Sequence, residues 1–468
     1  MNPKYEEYVS FESGKKVLYV QLLKALYGCV VSALLWYELF SGYLKEMGFE
    51  INPYDSCIAN KVINEKQCTI AWYVDDMKIS HFDKDVVTQV IQDLEKKFGS
   101  MSVTRGCKQK FLGMNLCFKS NRTVTVQMKD YLQESIDESG LCIAHEAATP
   151  AKGSLFDVDS ESTSLEGEEF EAFRSVVAKL LYVATRARLD ILLPVAFLCT
   201  RVTKSTKQDQ AKLKRVLEYV KGSIDLFYTL GAESLNRVHS WVDASYAVHP
   251  DMKSHTGGIT SFGLGGFMGK STKQKLNTKS STEAELVGAS DYLPNTIWLK
   301  LFMEAQGHKM SEILFEQDNE SAIRMETNGR MSAGQKSRHI NIRYFWIKDQ
   351  TKGLDIEVRH CPTLLMLADF FTKPLNGSLF RKFRDVILGY KHVSSLQETM
   401  PHDVEERVGI KQLQGRHNVS QNAVTKINSN VSTPVPIYTK SMVQENLTAA
   451  RMDSRDSLNR LNPVDDNK

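Results

Sequence analysis

Two aspartates stand side by side in "AWYVDDMKIS", where Asp75 and Asp76 separate two short apolar runs. Adjacent carboxylates aimed the same way from a tight turn raise each other's pKa, and a cation relieves the repulsion. Further along, "SWVDASYA" carries Asp243 at the polar end of an apolar strand, and "STEAEL" sets Glu283 and Glu285 in the first turns of a helix. "LFEQDNESA" places Asp318 just past another strand, and "LADFFTKP" adds Asp369 on a short helix. Singly, a strand-end aspartate or a first-turn glutamate is more often a cap or a dipole partner than a catalyst. Together, carboxylates from several strand ends and helix starts can converge on two divalent cations about 3.5 to 4 Å apart, the arrangement that serves phosphodiester hydrolysis. Hard oxygen ligands suit Mg²⁺ or Mn²⁺.

The elements that must position these acids are legible in the hydrophobic pattern. "ALLWYELFSGYLKEM" repeats Ala33, Trp36, Tyr37, Phe40, Leu44 and Met47 at a helical period, which predicts a core helix over 33–47. "CIANKVI", "TIAWYV" and "MKIS" read as strands, the last two joined by the aspartate pair as a hairpin. Asp83 caps a helix whose stripe is Val86, Val87, Val90, Ile91, Leu94 and Phe98. Strands "FLGMNLCF" and "TVTVQM" follow, then a helix ending near Gly140. Helices interleaved with antiparallel strands predict an α+β layer carrying the acidic hairpin. Residues 149–167, rich in Ser, Gly and acid, read as a linker, and 168–230 as helical, with Gly222 stopping the helix "AKLKRVLEYVKGS". A third, α/β block runs to about Leu388, and from 391 onward the polar chain predicts a disordered tail.

The 468 residues allow two or three domains on a scale of roughly 100 to 200 residues each. A hydrophobic content of 42% and a charged content of 25% are those of a globular protein. The longest apolar run, "LDILLPVAFLC", is short of the about 20 residues a spanning helix takes, so no membrane partner is expected. The first residues show no basic segment followed by an apolar one, which argues against secretion. Eight scattered cysteines form no C-x-x-C pair, which argues against a disulfide framework and a zinc site and points to reduced thiols in the cytoplasm or nucleus. With a net charge of only +3, affinity for nucleic acid must come from local clusters. One such cluster is "MGKSTKQKLNTKSS", with Lys270, Lys273, Lys275 and Lys279; beside an acidic metal site it can track phosphates, although a basic run is more often a solvated face. Ser280, Ser281 and Thr282 can cap the following helix and offer donors to a duplex.

"ALYGCVVSALLWY", "WYVDDM", "FLGM", "WVDASYA", "SHTGG", "KSSTEAEL", "DNESAI", "SRHINIRYFWI" and "LADFFTKPL", in this order, resemble the reverse transcriptase and ribonuclease H portion of copia-type LTR retrotransposon polyproteins over about residues 15 to 390. The resemblance implies a reverse transcriptase palm over 1–148, a linker over 149–167, and a helical thumb or connection region over 168–235. It further implies a ribonuclease H-like mixed five-stranded sheet with helices over 236–390, then a tail over 391–468. In such enzymes Asp75 and Asp76 would hold catalytic Mg²⁺, with Tyr73 beside the primer end. Asp243, Asp318 and Asp369 match the ribonuclease H metal ligands, and the helix "EAELVGA" favours Glu285 as the fourth, with Glu283 second. Two ions per ribonuclease H site are implied. His339 matches a family motif in a place where a plain surface histidine on a helix is the alternative, and His360 falls in the loop before the last acidic helix, where relatives carry a histidine that assists product release. The implied partners are an RNA/DNA hybrid, a primer–template duplex and other products of the polyprotein.

The sequence also departs from the family pattern. Polymerases of this kind take a further aspartate from a strand upstream of "ALYG", and residues 1–20 contain no Asp; the fingers would likewise precede it. Val31 stands where the family commonly has a glutamine that lines the nucleotide pocket. Loss of one bridging ligand costs on the order of thousands-fold in rate. The expectation is therefore an N-terminally truncated polymerase joined to a complete ribonuclease H, hydrolysis of RNA in hybrids being the retained activity. A relic that binds nucleic acid without catalysis is the alternative, and a full polymerase would need a longer product or a partner chain.

Overall fold

The computed structural model describes residues 3–19, 29–328 and 338–397. A 3-10 turn (Pro3–Tyr8) and a small hairpin of β1 (Val9–Glu12) and β2 (Lys15–Leu18) precede α1 (Val30–Glu46), whose stripe turns Phe40 and Leu44 fully inward. Strands β3 (Glu50–Ile51), β4 (Ile58–Ile63), β5 (Lys66–Tyr73) and β6 (Asp76–Ser80) form an antiparallel sheet in that order. Asp83 caps α2 (Lys84–Phe98) by accepting the amide of Asp85, as expected. Cys68, Ile70 and Trp72 of β5 face the core shared with α1 and α2, whereas Ala71 and Ile58 face the opposite side. A strand buried on both faces must have a second partner layer. That layer is the long helix of the third block, whose Trp298 Nε1 donates to Tyr54 O at 2.8 Å.

The next sheet corrects two readings of the sequence. "FLGMNLCF" is not one strand: Leu112 (φ 51°) and Gly113 (φ 73°) make a two-residue turn between β7 (Lys108–Phe111) and β8 (Met114–Phe118). Positive φ at both central positions is the hairpin turn whose twist suits antiparallel strands, and Gly113 supplies the conformation without strain. Tyr182 fixes the turn by donating its hydroxyl to Leu112 O at 2.9 Å. β9 (Val124–Gln127) continues the sheet, and α3 (Lys129–Asp137), α4 (Gly167–Ala184), α5 (Leu192–Cys199) and α6 (Lys207–Gly222) pack with it. Helix then gives way earlier than expected, because Tyr228–Ala232 forms β10 and pairs with β9. With β13 (Gly263–Leu264) the order is β13-β10-β9-β8-β7, so one sheet draws strands from segments separated by more than a hundred residues.

Residues 149–167, expected as a linker, bury Ala151, Leu155, Phe156 and Leu165 in the same core, and Leu165 N donates to Ser205 O at 2.9 Å. Arg188 and Asp190 form a buried ion pair at 2.8 Å, and the Tyr219 hydroxyl donates to Asp190 at 2.7 Å, tying the turn after α4 to α6.

The third sheet is mixed and five-stranded, in the order β14-β12-β11-β15-β16. β11 (Arg237–Ser245), β12 (His255–Ser261) and β14 (Gly266–Lys273) are antiparallel. α7 (Ser281–Ala305) then leads to β15 (Glu312–Gln317), which runs parallel to β11. α8 (Glu320–Asn328) and α9 (Arg338–Gly353) lead to β16 (Ile356–His360), parallel to β15. Two 3-10 turns, Thr363–Leu365 and Leu367–Phe371, and α10 (Gly377–Ile387) close the block. Residues 391–397, expected to open a polar tail, instead pack: His392 bridges Leu264, and Leu396 is buried in the turn Val393–Leu396. The rest of the expected tail lies outside the described residues.

Candidate metal centre

Asp243 lies within β11, two residues from its end, and only 1% of its surface is exposed. Glu285 sits in the second turn of α7, and Asp318 follows β15 directly. Carboxylate oxygens of these three residues lie within 4.8 Å of one another, and among the described residues no other cluster of three or more potential ligands is as close. Small residues bring the helix to the strand. A Cβ on Gly288 would stand 3.3 Å from the Cβ of Ala244, tighter than ordinary contact, so glycine lets α7 press on β11 beside Asp243.

The two glutamates of "STEAEL" separate cleanly. Ser280 caps α7 by accepting the amide of Glu283, and Glu283 Oε2 accepts the amide of Lys279 at 2.7 Å. Glu283 therefore serves the helix end, while Glu285, two residues on, faces the sheet. Glu285 is 5% exposed, and its Oε2 has no hydrogen-bond partner.

Asp369 enters from the 3-10 turn Leu367–Phe371, which lies on β12. A Cβ on Gly257 would meet Thr372 Cγ2 at 2.6 Å and Ala368 O at 2.9 Å; the glycine of "SHTGG", paired with Asp243 across the ladder, is what admits the turn. The turn is anchored by Ser271 Oγ, which donates to Phe371 O at 2.8 Å, and by Ser245 Oγ, which donates to Thr372 O at 3.2 Å. It delivers two side chains that the sequence reading missed. The Thr372 hydroxyl donates to Asp243, and Lys373 Nζ lies 2.7 Å from Asp369 Oδ1 and 3.5 Å from the Asp243 carboxylate. Both stand inside "LADFFTKPL", three and four residues after Asp369, the spacing at which side chains share a helical face. Thr363 Oγ1 similarly donates to Asp318 Oδ2 at 3.2 Å.

Crowded, half-desolvated carboxylates resist ionisation. Burial, then the charges of Asp243 and Asp318, raise Glu285 well above the ordinary carboxylate range. Burial and the charge of Asp243 raise Asp318, and the same two causes push Asp369 up to about 7 against the opposing pull of Lys373. Burial draws Lys373 down, but the charges of Asp243 and Asp369 outweigh it and raise its pKa.

The other expected site residues lie elsewhere. Asp75 and Asp76 are exposed on the β5–β6 hairpin, whose turn is Val74–Asp75, and Tyr73 pairs with Asp76 across it. Val74 adopts φ 54°, a strained conformation for a β-branched residue, and Trp36 Nε1 holds its carbonyl at 2.6 Å. Lys270 donates to Asp291 O at 2.7 Å and Lys273 pairs with Asp251 at 2.7 Å, so both are engaged within the fold. Lys275, Lys279 and Ser281 are exposed around the start of α7. His360 is the last residue of β16 and not a loop residue, since β16 pairs with β15 through Gln317 and His360. His339 belongs to α9, and its side chain is outside the described residues.

Comparison with known proteins adds the lineage. Residues 7–153 match the family model described as reverse transcriptase (RNA-dependent DNA polymerase). The Retrovirus-related Pol polyprotein from transposon TNT 1-94 of Nicotiana tabacum is 27% identical over 383 residues, 80% of this chain and 28% of that relative. The Transposon Ty1-GR2 Gag-Pol polyprotein of Saccharomyces cerevisiae is 25% identical over 383 residues, 77% of this chain and 21% of that relative. The chain thus spans 28% and 21% of the lengths of these two relatives. No solved structure matches it. Residues 7–153 are thus a region similar to reverse transcriptases, within a chain whose relatives are copia-type retrotransposon polyproteins.

Proposed function

We propose that Asp243, Glu285, Asp318 and Asp369 form a ribonuclease H centre that hydrolyses the RNA strand of RNA/DNA hybrids with two Mg²⁺ or Mn²⁺ ions. The observation that carries this reading is the convergence of three carboxylates from β11, α7 and the end of β15 within 4.8 Å. The donor set fits such ions: all oxygen, acidic, and including a buried Glu285 oxygen that no protein donor satisfies. Bound there, the metals would supply an activated water and neutralise charge on the attacking and leaving oxygens of an in-line displacement at phosphorus. The chain's own residues do the rest. Thr372 and Thr363 orient the carboxylates of Asp243 and Asp318 by hydrogen bonding. Lys275, Lys279 and Ser281, exposed at the start of α7, would meet the phosphates of the duplex, with shape and the 2′-hydroxyl deciding hybrid over DNA.

In the same reading, residues 236–390 are the ribonuclease H-like unit and the acidic hairpin belongs to a polymerase palm, with Asp75 and Asp76 as its metal ligands. A primer–template duplex and other parts of the polyprotein are the corresponding partners. No described helix is long and apolar enough to cross a membrane.

The test is direct. The purified chain and an Asp243→Asn variant are incubated with a labelled RNA/DNA hybrid and Mg²⁺ or Mn²⁺ at low salt. Wild type should cut the RNA strand, and the variant should be slower by a factor of about a hundred or more. A hybrid left intact by wild type defeats the proposal.

A further inference from the structure

Three of the four carboxylates converge, while Asp369 is held aside. Lys373, four residues on, grips Asp369 Oδ1 at 2.7 Å and stands 3.5 Å from the Asp243 carboxylate. Its side chain is 40% exposed, but its position is set by the backbone that carries it. The backbone on which it stands is fixed on both sides: Phe371 O accepts from Ser271, Thr372 O accepts from Ser245, and the Thr372 hydroxyl donates to Asp243. Gly257 lets that backbone lie directly on β12, at a distance where a methyl group would collide. Pro374 follows at once and restricts the conformation of Lys373 itself. The lysine therefore springs from an anchored backbone, and its ammonium has two acids in reach. It contributes one positive charge and three donors to a place where the chemistry proposed above asks for divalent ions.

We propose that Lys373 is a positioning residue, a resident counter-cation that keeps Asp369 apart from the Asp243–Glu285–Asp318 group and must release it before a second divalent ion is held, so that the centre takes up its ions in sequence. The inference rests on the metal-centre reading above. The first ion draws on the converged group, in which Lys373 touches only Asp243. The second needs Asp369, and its uptake includes breaking the 2.7 Å ion pair. Sequential uptake with unequal affinities is the consequence, and the weaker step is the one that Lys373 sets.

The experiment is Mn²⁺ titration of the full chain by calorimetry, for wild type, Lys373→Met and Lys373→Arg, with hybrid cleavage followed against Mn²⁺ concentration in parallel. Wild type should show a tighter and a weaker event. Lys373→Met should tighten the weaker event by about tenfold or more and shift the Mn²⁺ dependence of cleavage to lower concentration, since each decade corresponds to about 1.4 kcal/mol. Lys373→Arg, which keeps the charge, should behave like wild type, a rescue that a merely structural role would not reproduce. Should Lys373→Met fail to fold, Lys373→Gln carries the same expectation with a polar side chain. A weaker event that is unchanged or weakened in the neutral variants, while wild type binds Mn²⁺ and cuts hybrid, overturns the role of Lys373 alone. Wild type that binds no Mn²⁺ overturns the metal centre and this inference together.

Discussion

Ser271 links the turn that carries Asp369 to a buried histidine pair whose neutrality makes stability depend on pH. His249 Nε2 is 2.9 Å from His255 Nδ1, and His255 Nε2 is 2.7 Å from Ser271 Oγ. Because Ser271 donates its only proton to Phe371 O, it must accept from His255 Nε2–H. Neutral His255 then presents Nδ1 as an acceptor, and His249 donates to it. Phe156 packs edge-on to His249, and Phe197 stacks on it. Burial, then the charge of Lys273, push His249 down to about 4, with Asp251 opposing; burial, then His249, push His255 down to about 3. Both folded values lie below the unfolded value of about 6.5, so the unfolded chain binds more protons as pH falls. The contribution to stability is complete above about pH 6.5 and is lost on acidification toward 4 and 3, at about 1.4 kcal/mol per unit for each ring. At pH 5 the pair should have lost about 4 kcal/mol, against a total of about 5 to 15 kcal/mol for a typical domain. Urea unfolding of wild type and His249→Gln, followed by circular dichroism from pH 7.5 to 5, isolates the effect because other titrating groups cancel in the comparison. The wild-type curve should fall more steeply than the variant by about 1.4 kcal/mol per pH unit below pH 6. Parallel curves would show that the pair does not titrate as a buried neutral unit.

Three further outcomes follow from the geometry. Gly257→Ala places a methyl 2.6 Å from Thr372 Cγ2 and 2.9 Å from Ala368 O; it should cost about 1–3 kcal/mol in a melting experiment and, by displacing Asp369, slow hybrid cleavage by about a hundredfold. Glu283→Ala should lower stability by about 1 kcal/mol and leave cleavage nearly intact, whereas Glu285→Gln should abolish cleavage and retain the fold, a contrast read by running both assays on both variants. Glu326 on α8 is fully buried, its carboxylate oxygens have no hydrogen-bond partner, and burial pushes it up to about 8. At neutral pH the fold must hold it protonated while the unfolded chain does not, so Glu326→Met should raise stability by about 2–3 kcal/mol at pH 7, an excess that shrinks as pH falls toward 5.

Elements whose pattern repeats locally were legible in the sequence, and those decided by distant pairing were not. The stripe of α1, the cap at Asp83, the acidic hairpin and the stop at Gly222 are written within a few residues each. "FLGMNLCF" misled because Leu112 is an unusual residue for positive φ, so the turn shows only in Gly113. Residues 149–167 have a loop composition, yet Leu155, Phe156 and Leu165 are enough to dock them once α5 and α6 offer a surface. β10 is short and follows three helices, and only its pairing with β9, a hundred residues earlier, makes it a strand. The acids of the candidate centre could be picked out by type and order. The resemblance favoured Glu285 over Glu283, to which the cap at Ser280 adds a physical ground, whereas Thr372 and Lys373 needed the turn that brings "LADFFTKPL" onto "SHTGG".

The two acidic sites of this chain are held in opposite ways, and the difference bears on how each meets a cation. Asp75 and Asp76 sit exposed on a hairpin that stores strain in Val74 and is steadied by one hydrogen bond from Trp36. Water screens their repulsion, so the hairpin needs no internal counter-charge. Asp243, Glu285 and Asp369 are desolvated, and there the same repulsion must be met inside the protein. The fold meets it by raising the pKa of Glu285 and Asp369, with the hydroxyl of Thr372 and with the ammonium of Lys373. The ammonium is displaceable by a divalent ion, and its release sets a cost that binding must overcome. Proton release should therefore accompany metal uptake at the buried centre, and its affinity should weaken as pH falls through about 7, where Asp369 takes up its proton.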